Sequence, residues 1–273
     1  MKITFDWNGR AASVDTSKGV SIAIEMQFGG DQPNHFGVDK CDFTVVQVGD
    51  FVGATERGGS CNVDQLKLIP HCNGTHTESV EHILNQPVAI GKLLPAWLPA
   101  CLVSVTPVAA KDTDDSYRPE LDHHDAVVTV DALTQAVGDT DLAAVQALVI
   151  RTLPNTEDKK SIAYGQAAHP AFLSIEAMNW IVQQGVQHLV LDLPSVDKMY
   201  DDGLLTNHHL FWNVPEGTHE LTDDTRIQQT ITEMAFVPDR VVDGCYVLNL
   251  QFPAFVSDAA PSRPVLYSID FNE

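Results

Sequence analysis

The chain has 273 residues, 44% of them hydrophobic, and its 37 acidic residues against 16 basic ones give a formal charge of −21 at pH 7. This composition is typical of a folded protein with a substantial core, and the charge argues against nucleic acid or an anionic membrane as a partner, because phosphate contacts need clustered lysine and arginine. No apolar run is long enough for a transmembrane helix, the N-terminus lacks a signal-peptide core, and five scattered cysteines without a CxxC pair are typical of free thiols, so we expect a cytoplasmic protein.

Short stretches rich in β-branched residues or in alternating polarity predict strands along most of the chain. The stretch 20–28 places five apolar side chains on one face: Val20, Ile22, Ile24, Met26 and Phe28. Strands are also predicted for the N-terminal residues 1–15 and for FTVVQVGDF (43–51), CLVSVTPVA (101–109), AVVTV (126–130), ALVIRT (147–152), HLVLDL (188–193), YVLNLQF (246–252) and VLYSIDF (265–271).

The clearest helix is predicted over 174–184, with Ser174 as N-cap, Glu176 in the first turn and Gly185 as the stop. RIQQTITEMAF (226–236) is a second predicted helix. Because helix 174–184 lies between the strands ALVIRT and HLVLDL, we expect a β-α-β unit there. Without a linker or an internal repeat, residues 1–273 are interpreted as one strand-rich α/β domain.

HCNGTHTESVEH, residues 71–82, contains three histidines and two glutamates. In an extended conformation, four side chains of this segment would share one face: His76, Glu78, Val80 and His82. Gly74 permits a turn that could bring His71 to the same point. Two imidazoles and a carboxylate suit Zn²⁺ or Mn²⁺. The spacing alone is equally consistent with a polar loop, because it is neither a zinc-finger pattern nor HExxH.

The same segment resembles the HxGTHxDxPxH signature of the cyclase family of metal-dependent hydrolases, which includes bacterial kynurenine formamidases and isatin hydrolases. Four residues match it: Gly74, Thr75, His76 and His82. Glu78 stands where the family has Asp, Val80 where it has Pro, and Cys72 at the first His, with His71 displaced by one residue. The family resemblance extends to ALVIRT and to the block 169–197. The C-terminal part resembles that of a subfamily which also carries HCNGTHTE.

The resemblance implies a swivelling β/β/α fold and a homodimer or homotetramer. It also implies a divalent metal, Zn²⁺ before Mn²⁺, with His71, His76 and Glu78 as ligands and His82 as general acid/base. Cys72 is the alternative first ligand, because thiolates bind Zn²⁺ well.

The family's second block adds further candidates. Glu176 would be a ligand to a second metal ion or an orienting partner, or else simply a carboxylate at a helix N-terminus. His169 could join it, or simply precede the helix. His208 and His209 are adjacent, so one of them could reach the pocket while the other points to solvent.

Two loop segments have two possible interpretations each, either as part of a functional site or as a structural turn. Ser195 and Asp197 follow the end of a predicted strand, where α/β sites commonly open, but Ser and Asp also stabilise turns. The stretch 29–36, which ends in Asn34, His35 and Phe36, either lines a substrate pocket across a dimer interface or forms a Gly/Pro/Asn turn.

The implied reaction is hydrolysis of a small amide by metal-activated water, with proton transfer by His82. By resemblance the substrate is an aryl formamide such as N-formylkynurenine or a cyclic amide such as isatin. The competing hypothesis is a non-catalytic descendant that binds a small molecule or a partner. The displaced His71 and the Asp-to-Glu change at Glu78 motivate that hypothesis.

Overall fold

The computed structural model describes residues 1–271. Its strands, in chain order, are β1 (Lys2–Trp7), β2 (Arg10–Asp15), β3 (Val20–Ser21), β4 (Asp42–Val45), β5 (Gln47–Val48), β6 (Phe51–Val52), β7 (Asp64–Lys67), β8 (His76–Glu78), β9 (Ala96–Val105), β10 (Val108–Ala109), β11 (Ala126–Val128), β12 (Ala147–Thr152), β13 (Phe172–Leu173), β14 (His188–Leu191), β15 (Thr230–Glu233), β16 (Gly244–Leu250), β17 (Ala259–Pro261), β18 (Val265–Ser268) and β19 (Asp270–Phe271). The α-helices are α1 (Pro70–Asn73), α2 (Val130–Val137), α3 (Ile175–Gln183) and α4 (Thr206–Trp212).

The main sheet has, within residues 1–271, nine strands in the order β17-β8-β15-β14-β12-β9-β16-β18-β3. Its centre is parallel, because β12 pairs in parallel with both β9 and β14, and β14 with β15. β8 and β17 continue it in antiparallel pairing at one end. The predicted β-α-β unit is confirmed, since α3 lies between the parallel strands β12 and β14. The strand-rich α/β fold is confirmed as well.

Apolar side chains cover both faces of the central strands, as expected for a parallel sheet with both sides buried. One face packs against the helices through Cys101, Val103, Leu148, Ile150, Leu189, Leu191, Leu133, Met178, Ile181, Phe211 and Trp212. The other face forms a second core from Leu98, Ala100, Leu102, Ala147, Val149, Val190, Leu248, Leu250 and Leu266. This rigid centre supports the loops and edge strands that carry the candidate site.

Helix α3 confirms the predicted helix over 174–184. The Ser174 hydroxyl accepts a hydrogen bond from the Ala177 amide at 2.9 Å, and Gly185 adopts a positive φ of 77° after the last turn. These caps satisfy backbone groups that a helix end leaves free. Both ends of α3 could therefore be predicted from the local sequence.

The predicted helix over 226–236 is wrong. Residues 230–233 form β15 between β14 and β8, and its four residues are buried. The run Thr230, Ile231, Thr232 is β-branched and fits a central strand better than a helix, so tertiary pairing decided the conformation.

The predicted strand 20–28 is only partly regular. β3 covers its first two residues, and Ala23 adds an isolated bridge to Ala235. The alternation persists in burial, with Ile22 and Ile24 buried and Glu25 and Gln27 exposed. In the part of the chain that is described, no helix combines the length and the apolar character needed to cross a bilayer.

Candidate metal centre

His71 is placed by the short helix α1. Pro70 occupies the first turn, where its missing N–H costs nothing, and the Asn73 side chain accepts a hydrogen bond from the Ile69 amide at 2.7 Å. The helix thus presents His71 towards the edge of the main sheet. In the family signature the first histidine would stand at position 72, which is Cys72 in this chain.

His76 and Glu78 lie on β8, between β15 and β17. As residues i and i+2 of one strand, they project from the same face. Both are fully buried at 0% exposure, which is exceptional for an imidazole and a carboxylate. The prediction that Val80 shares this face is wrong, because the strand ends at Glu78 and Val80 packs into the helix-side core.

Gly74 connects α1 to β8 in a conformation that side chains avoid, with φ 153° and ψ −166°. Its carbonyl accepts a hydrogen bond from His76 Nδ1 at 3.0 Å. That bond places the ring proton on Nδ1 and leaves the Nε2 lone pair of His76 free. Gly74 therefore sets both the chain path and the tautomer of the histidine that follows.

The three predicted ligands converge. One ligand atom from each of His71, His76 and Glu78 lies within 4.8 Å of the other two. His71 Nδ1 is 3.0 Å from Glu78 Oε2, but the approach does not have hydrogen-bond geometry. The ring centroids of His71 and His76 are 5.2 Å apart. Two nitrogen donors and one carboxylate oxygen thus surround one point.

The cluster has the pattern of a site that needs a cation. His76 Nε2 and Glu78 Oε2 are both inaccessible to solvent, and neither has a hydrogen-bond partner within residues 1–271. Buried polar atoms almost always have partners, and leaving them unpaired costs about 1–3 kcal/mol each. A divalent ion would satisfy both atoms together with His71. The residues present therefore fit a metal ion.

Asp258 supports the outer side of His71. Its Oδ2 accepts a hydrogen bond from His71 Nε2 at 2.8 Å and lies 3.4 Å from His82 Nδ1. These two contacts lower the pKa of Asp258 below its ordinary range, so the side chain is a carboxylate. A carboxylate behind a ligating histidine orients the ring and raises its basicity.

Glu78 is shared with a second histidine. Its Oε1 accepts a hydrogen bond from His208 Nε2 at 2.9 Å, and His208 Nδ1 in turn lies 2.5 Å from Asp197 Oδ2. Burial alone would raise the pKa of Glu78, but the charges of His82 and His208 lower it well below its usual value. Burial alone would lower the pKa of His208, but Glu78 and Asp197 raise it well above its usual value. The result is a buried chain of alternating charges.

His82 lies in a 3-10 turn, Val80–Ile83, and not on a strand. Its Nδ1 is 3.9 Å from Glu78 Oε2, and its side chain is 26% exposed. It is therefore the histidine of the group that faces the opening of the site. The ring remains beside the cluster even though the segment is not extended as predicted.

Behind the opening is a cavity of about 90 Å³. The side chains that line it come from the segment between β3 and β4, from α1 and β8, from the turn that carries His82, from the segment between β14 and α4, and from α4 and β15: His35, Phe36, His71, Cys72, Glu78, His82, Pro194, Ser195, Asp197, Lys198, Met199, Asp201, Leu205, His208 and Glu233. The cavity thus opens beyond the carboxyl end of a parallel strand, where α/β proteins commonly bind ligands.

Three predicted residues do not reach this site. Both Glu176 oxygens accept hydrogen bonds from Ser116, so this carboxylate fixes a loop to the start of α3. His169 is exposed, and its ring stacks edge-on 5.8 Å from Tyr200. His209 is buried, but its Nδ1 donates to the Val214 carbonyl, so His208 and not His209 is the member of the pair at the site. The assignments of Glu176, His169 and His209 to the site are corrected accordingly.

Cys72 lines the cavity but is absent from the clusters of potential ligands among the described residues. Burial raises the pKa of its thiol to about 11, which disfavours the thiolate that a metal would need. The geometry favours His71 as the first ligand.

Sequence reasoning missed Asp258 and Glu233. Glu233 is 3% exposed, pairs with His76 across β15 and β8, and places Oε2 3.4 Å from His76 Nε2. It lies within the segment wrongly predicted as a helix. Asp258 directly precedes β17, whose pairing with β8 brings it to His71. Both lie in the C-terminal part that resembles the subfamily, but that resemblance assigned them no role, and it is the strand order that brings them to the cluster.

Comparisons with known proteins identify the family of the chain. Residues 15–198 match the model of a family described as Putative cyclase. No curated protein matches the chain in sequence.

Three similar solved structures show the fold. A predicted metal-dependent hydrolase from Bacillus stearothermophilus is 15% identical, with 92% of this chain and 98% of that chain covered and a TM-score of 0.59. An isatin hydrolase bound to the product analogue thioisatinate is 10% identical, with 93% of each chain covered and a TM-score of 0.59. Isatin hydrolase A from Labrenzia aggregata, bound to benzyl benzoate, is 11% identical, with 92% and 93% covered and a TM-score of 0.56.

Proposed function

Because the chain belongs to the cyclase family, which matches it over residues 15–198, we propose that it is a metal-dependent hydrolase of a carbon–nitrogen bond in a small amide. The observation that carries the proposal is the pair of buried ligand atoms, His76 Nε2 and Glu78 Oε2, that have no hydrogen-bond partner among the described residues. His71 completes a two-nitrogen, one-oxygen donor set. Similarity to structures named as metal-dependent hydrolases and isatin hydrolases supports the reaction class.

The proposed ligands are His71, His76 and Glu78, and this donor set favours Zn²⁺, with Mn²⁺ as the second choice. A divalent ion bound there supplies Lewis acidity and a nucleophilic water at neutral pH. The protein's part is to hold its donors in place. Asp258 fixes His71, the Gly74 carbonyl fixes His76, and the buried strand fixes Glu78.

His82 is the proposed proton carrier. It is the partly exposed histidine beside the ligands, and it has Asp258 Oδ2 at 3.4 Å on one side. A histidine at this place can accept a proton from the attacking water and deliver it to the departing nitrogen. The carboxylate beside it would stabilise its charged form during that transfer.

His208 is a proposed positioning residue. It bridges Asp197 and Glu78, and Asp197 is itself held by the Tyr117 hydroxyl at 2.7 Å and the Asn207 amide at 2.6 Å. Such a supported chain keeps Glu78 ionised and aimed at the cluster. Removal of the His208 side chain would weaken metal binding through Glu78 and would not remove a contact with the substrate.

We propose the substrate class from the similarity to the relatives. Aryl formamides such as N-formylkynurenine and cyclic amides such as isatin both present a carbonyl and a nitrogen leaving group of suitable size. An arylformamidase-like activity remains our first expectation within the hydrolase proposal.

A homodimer or homotetramer also remains a proposal. It is supported by apolar side chains exposed on the hairpins around β4 to β7: Phe43, Val48, Phe51, Val63 and Leu66. Exposed apolar groups so close together are typical of association surfaces. The cytoplasmic location and the single domain over 1–273 stay predictions.

The test combines metal analysis with a substrate screen. The purified protein should contain about one divalent ion per chain, and hydrolysis of formamides or lactams should be lost on chelation and restored by Zn²⁺ or Mn²⁺. Protein that takes up no divalent ion and hydrolyses nothing would overturn the proposal and favour a non-catalytic binding protein. A His76→Gln variant, which removes a ligand nitrogen, should lose both the metal and the activity.

A further inference from the structure

The walls of the cavity carry few positive charges. Among the described residues that line it, Lys198 is the only lysine or arginine. Its Nζ is already paired with Asp122 at 2.6 Å and with Asp125 at 2.9 Å. The histidines of the cluster are likewise committed, because His71 contacts Asp258 and His208 bridges two carboxylates.

Carboxylates dominate the same walls. Glu78, Asp197, Asp201 and Glu233 all line the cavity, and all four are buried. A substrate that brought its own carboxylate would lose its hydration next to these like charges, and apart from the metal ion itself no uncommitted cation among the described residues lines the walls to receive it. Close like charges make such placement unfavourable. Phe36, 52% exposed at the rim, adds an apolar surface at the entrance.

His35 differs from the other histidines of the cavity, because its side chain is not committed. It is 3% exposed, and its Nδ1 is buried with no partner among residues 1–271. Backbone hydrogen bonds hold this segment in place. The His35 amide donates to the Cys72 carbonyl at 3.0 Å, the Asn34 amide donates to the Ile162 carbonyl, and the Asn34 carbonyl accepts from the Tyr164 amide. The segment 34–36 therefore lines the cavity of its own chain, which differs from the hypothesis of a pocket reached across a dimer interface.

An unpaired, well-fixed imidazole suits recognition of a neutral polar group. Burial lowers the pKa of His35 to about 4, so the ring is uncharged at neutral pH and can either donate or accept a hydrogen bond. A neutral ring would not attract a carboxylate. It would match a carbonyl or an N–H of an uncharged substrate.

We propose, on the basis of the hydrolase function above, that this site selects uncharged amides over amides that carry a carboxylate, and that His35 provides a hydrogen bond that positions them. Among the two substrate types considered, this favours isatin-like cyclic amides and simple aryl formamides over N-formylkynurenine. His35 acts in binding, so its contribution belongs to KM more than to kcat.

The first experiment separates charge from ring structure. The metal-loaded protein is assayed with formanilide, an uncharged aryl formamide, with N-formylkynurenine, an aryl formamide that bears an amino acid group, and with isatin, an uncharged cyclic amide. We expect kcat/KM for the better uncharged substrate to exceed that for N-formylkynurenine by about tenfold or more. Equal or better turnover of N-formylkynurenine would overturn the inference and leave the hydrolase function intact. No turnover of any compound would instead count against the hydrolase function itself.

The second experiment tests His35 directly. His35→Leu should raise KM about tenfold with kcat nearly unchanged, since a lost hydrogen bond to a buried group costs about that factor. His35→Asn keeps a hydrogen-bonding group near the position of Nδ1 and should recover most of the affinity. His124→Gln, at an exposed position, is the matched control. Metal content and the thermal midpoint, measured for each variant, show whether the site and the fold are retained.

Calorimetric binding of acetanilide, an uncharged analogue of formanilide, to the metal-free protein provides a readout that involves no turnover. It should weaken in His35→Leu in parallel with KM. If His35→Leu retains metal and fold, and its KM and analogue affinity equal those of the unchanged protein, His35 has no role in substrate binding.

Discussion

Metal uptake by the metal-free protein should release a proton from His71. Both ring nitrogens of this histidine face carboxylate oxygens, with Nε2 2.8 Å from Asp258 Oδ2 and Nδ1 3.0 Å from Glu78 Oε2. Burial opposes the charged ring, but these two partners outweigh it and raise the pKa of His71 to about 10. Without metal the ring is therefore protonated at pH 7, and an ion can use Nδ1 only by displacing that proton.

The size of the effect follows from this pKa. At pH 7 the ring lies about three pH units below a pKa of about 10, so roughly one molecule in a thousand has the free nitrogen. The apparent metal affinity at pH 7 is therefore about a thousandfold below that of the deprotonated site. Because the raised pKa lies above the whole working range, affinity should increase about tenfold per pH unit between pH 7 and 9.

Two measurements check this expectation. Calorimetric titration of the metal-free protein with Zn²⁺, in buffers of equal pH and different ionisation enthalpy, should show the release of about one proton per ion at pH 7. Competition with a chromophoric chelator should give the predicted slope with pH. His71→Gln should abolish the proton release and weaken binding, whereas His124→Gln should change neither. Tight Zn²⁺ binding with no proton release and no pH dependence would refute the assignment of His71 as a ligand.

Three further variants probe other parts of the site. His82→Gln should retain the metal and reduce kcat by about 10²–10⁴-fold, because it removes the proton carrier but no ligand; metal analysis and steady-state kinetics check this. Asp197→Asn should lower the free energy of unfolding of the metal-free protein by about 3–5 kcal/mol, as measured by urea denaturation, since the charge of buried His208 loses one of its two carboxylate partners. Gly74→Ala should cost about 1–3 kcal/mol of stability and weaken Zn²⁺ binding, because its backbone conformation is nearly restricted to glycine and its carbonyl orients His76.

Local sequence predicted the features that depend on neighbours along the chain. The caps of α3, the strand ALVIRT and the shared face of His76 and Glu78 on β8 follow from turn chemistry and from alternation, both of which act over a few residues. The 3-10 turn that ends β8 at Glu78 was not predicted, because the polar run after it has no strong breaker. The parallel unit of β12, α3 and β14 was predicted from the β-α-β order, whereas β15 was misassigned because TITEMAF also fits a helical pattern.

Long-range residues could not be predicted in this way. Asp258 is separated from His71 by 187 positions, and Glu233 reaches His76 only through the pairing of β15 with β8. Their roles arise from strand order, since β17 and β15 flank β8 and bring Asp258 and Glu233 to the ligands. Each of these carboxylates compensates buried imidazoles, which is a requirement of the folded state and leaves no local pattern.

The two departures from the family signature are best explained together, because the longer side chain of Glu78 compensates for the displacement of His71. The first histidine is displaced by one residue and is carried by α1, while the acid is Glu in place of Asp. Glu78 has one more methylene, which extends its carboxylate by about 1.5 Å. That reach allows Oε2 to approach His71 Nδ1 at 3.0 Å while Oε1 keeps His208 Nε2 at 2.9 Å.

Glu78→Asp should therefore damage this site even though it restores the family's residue. Withdrawal of the carboxylate by about 1.5 Å would break its contact with His208 and open the donor set, so we expect Zn²⁺ affinity to fall by about a hundredfold or more in chelator competition. Glu25→Asp, at an exposed position, is the matched control and should bind as the unchanged protein does. Unaltered affinity in Glu78→Asp would mean that the displaced histidine and the longer acid are independent, and that the strand, not the side-chain length, sets the position of the third ligand.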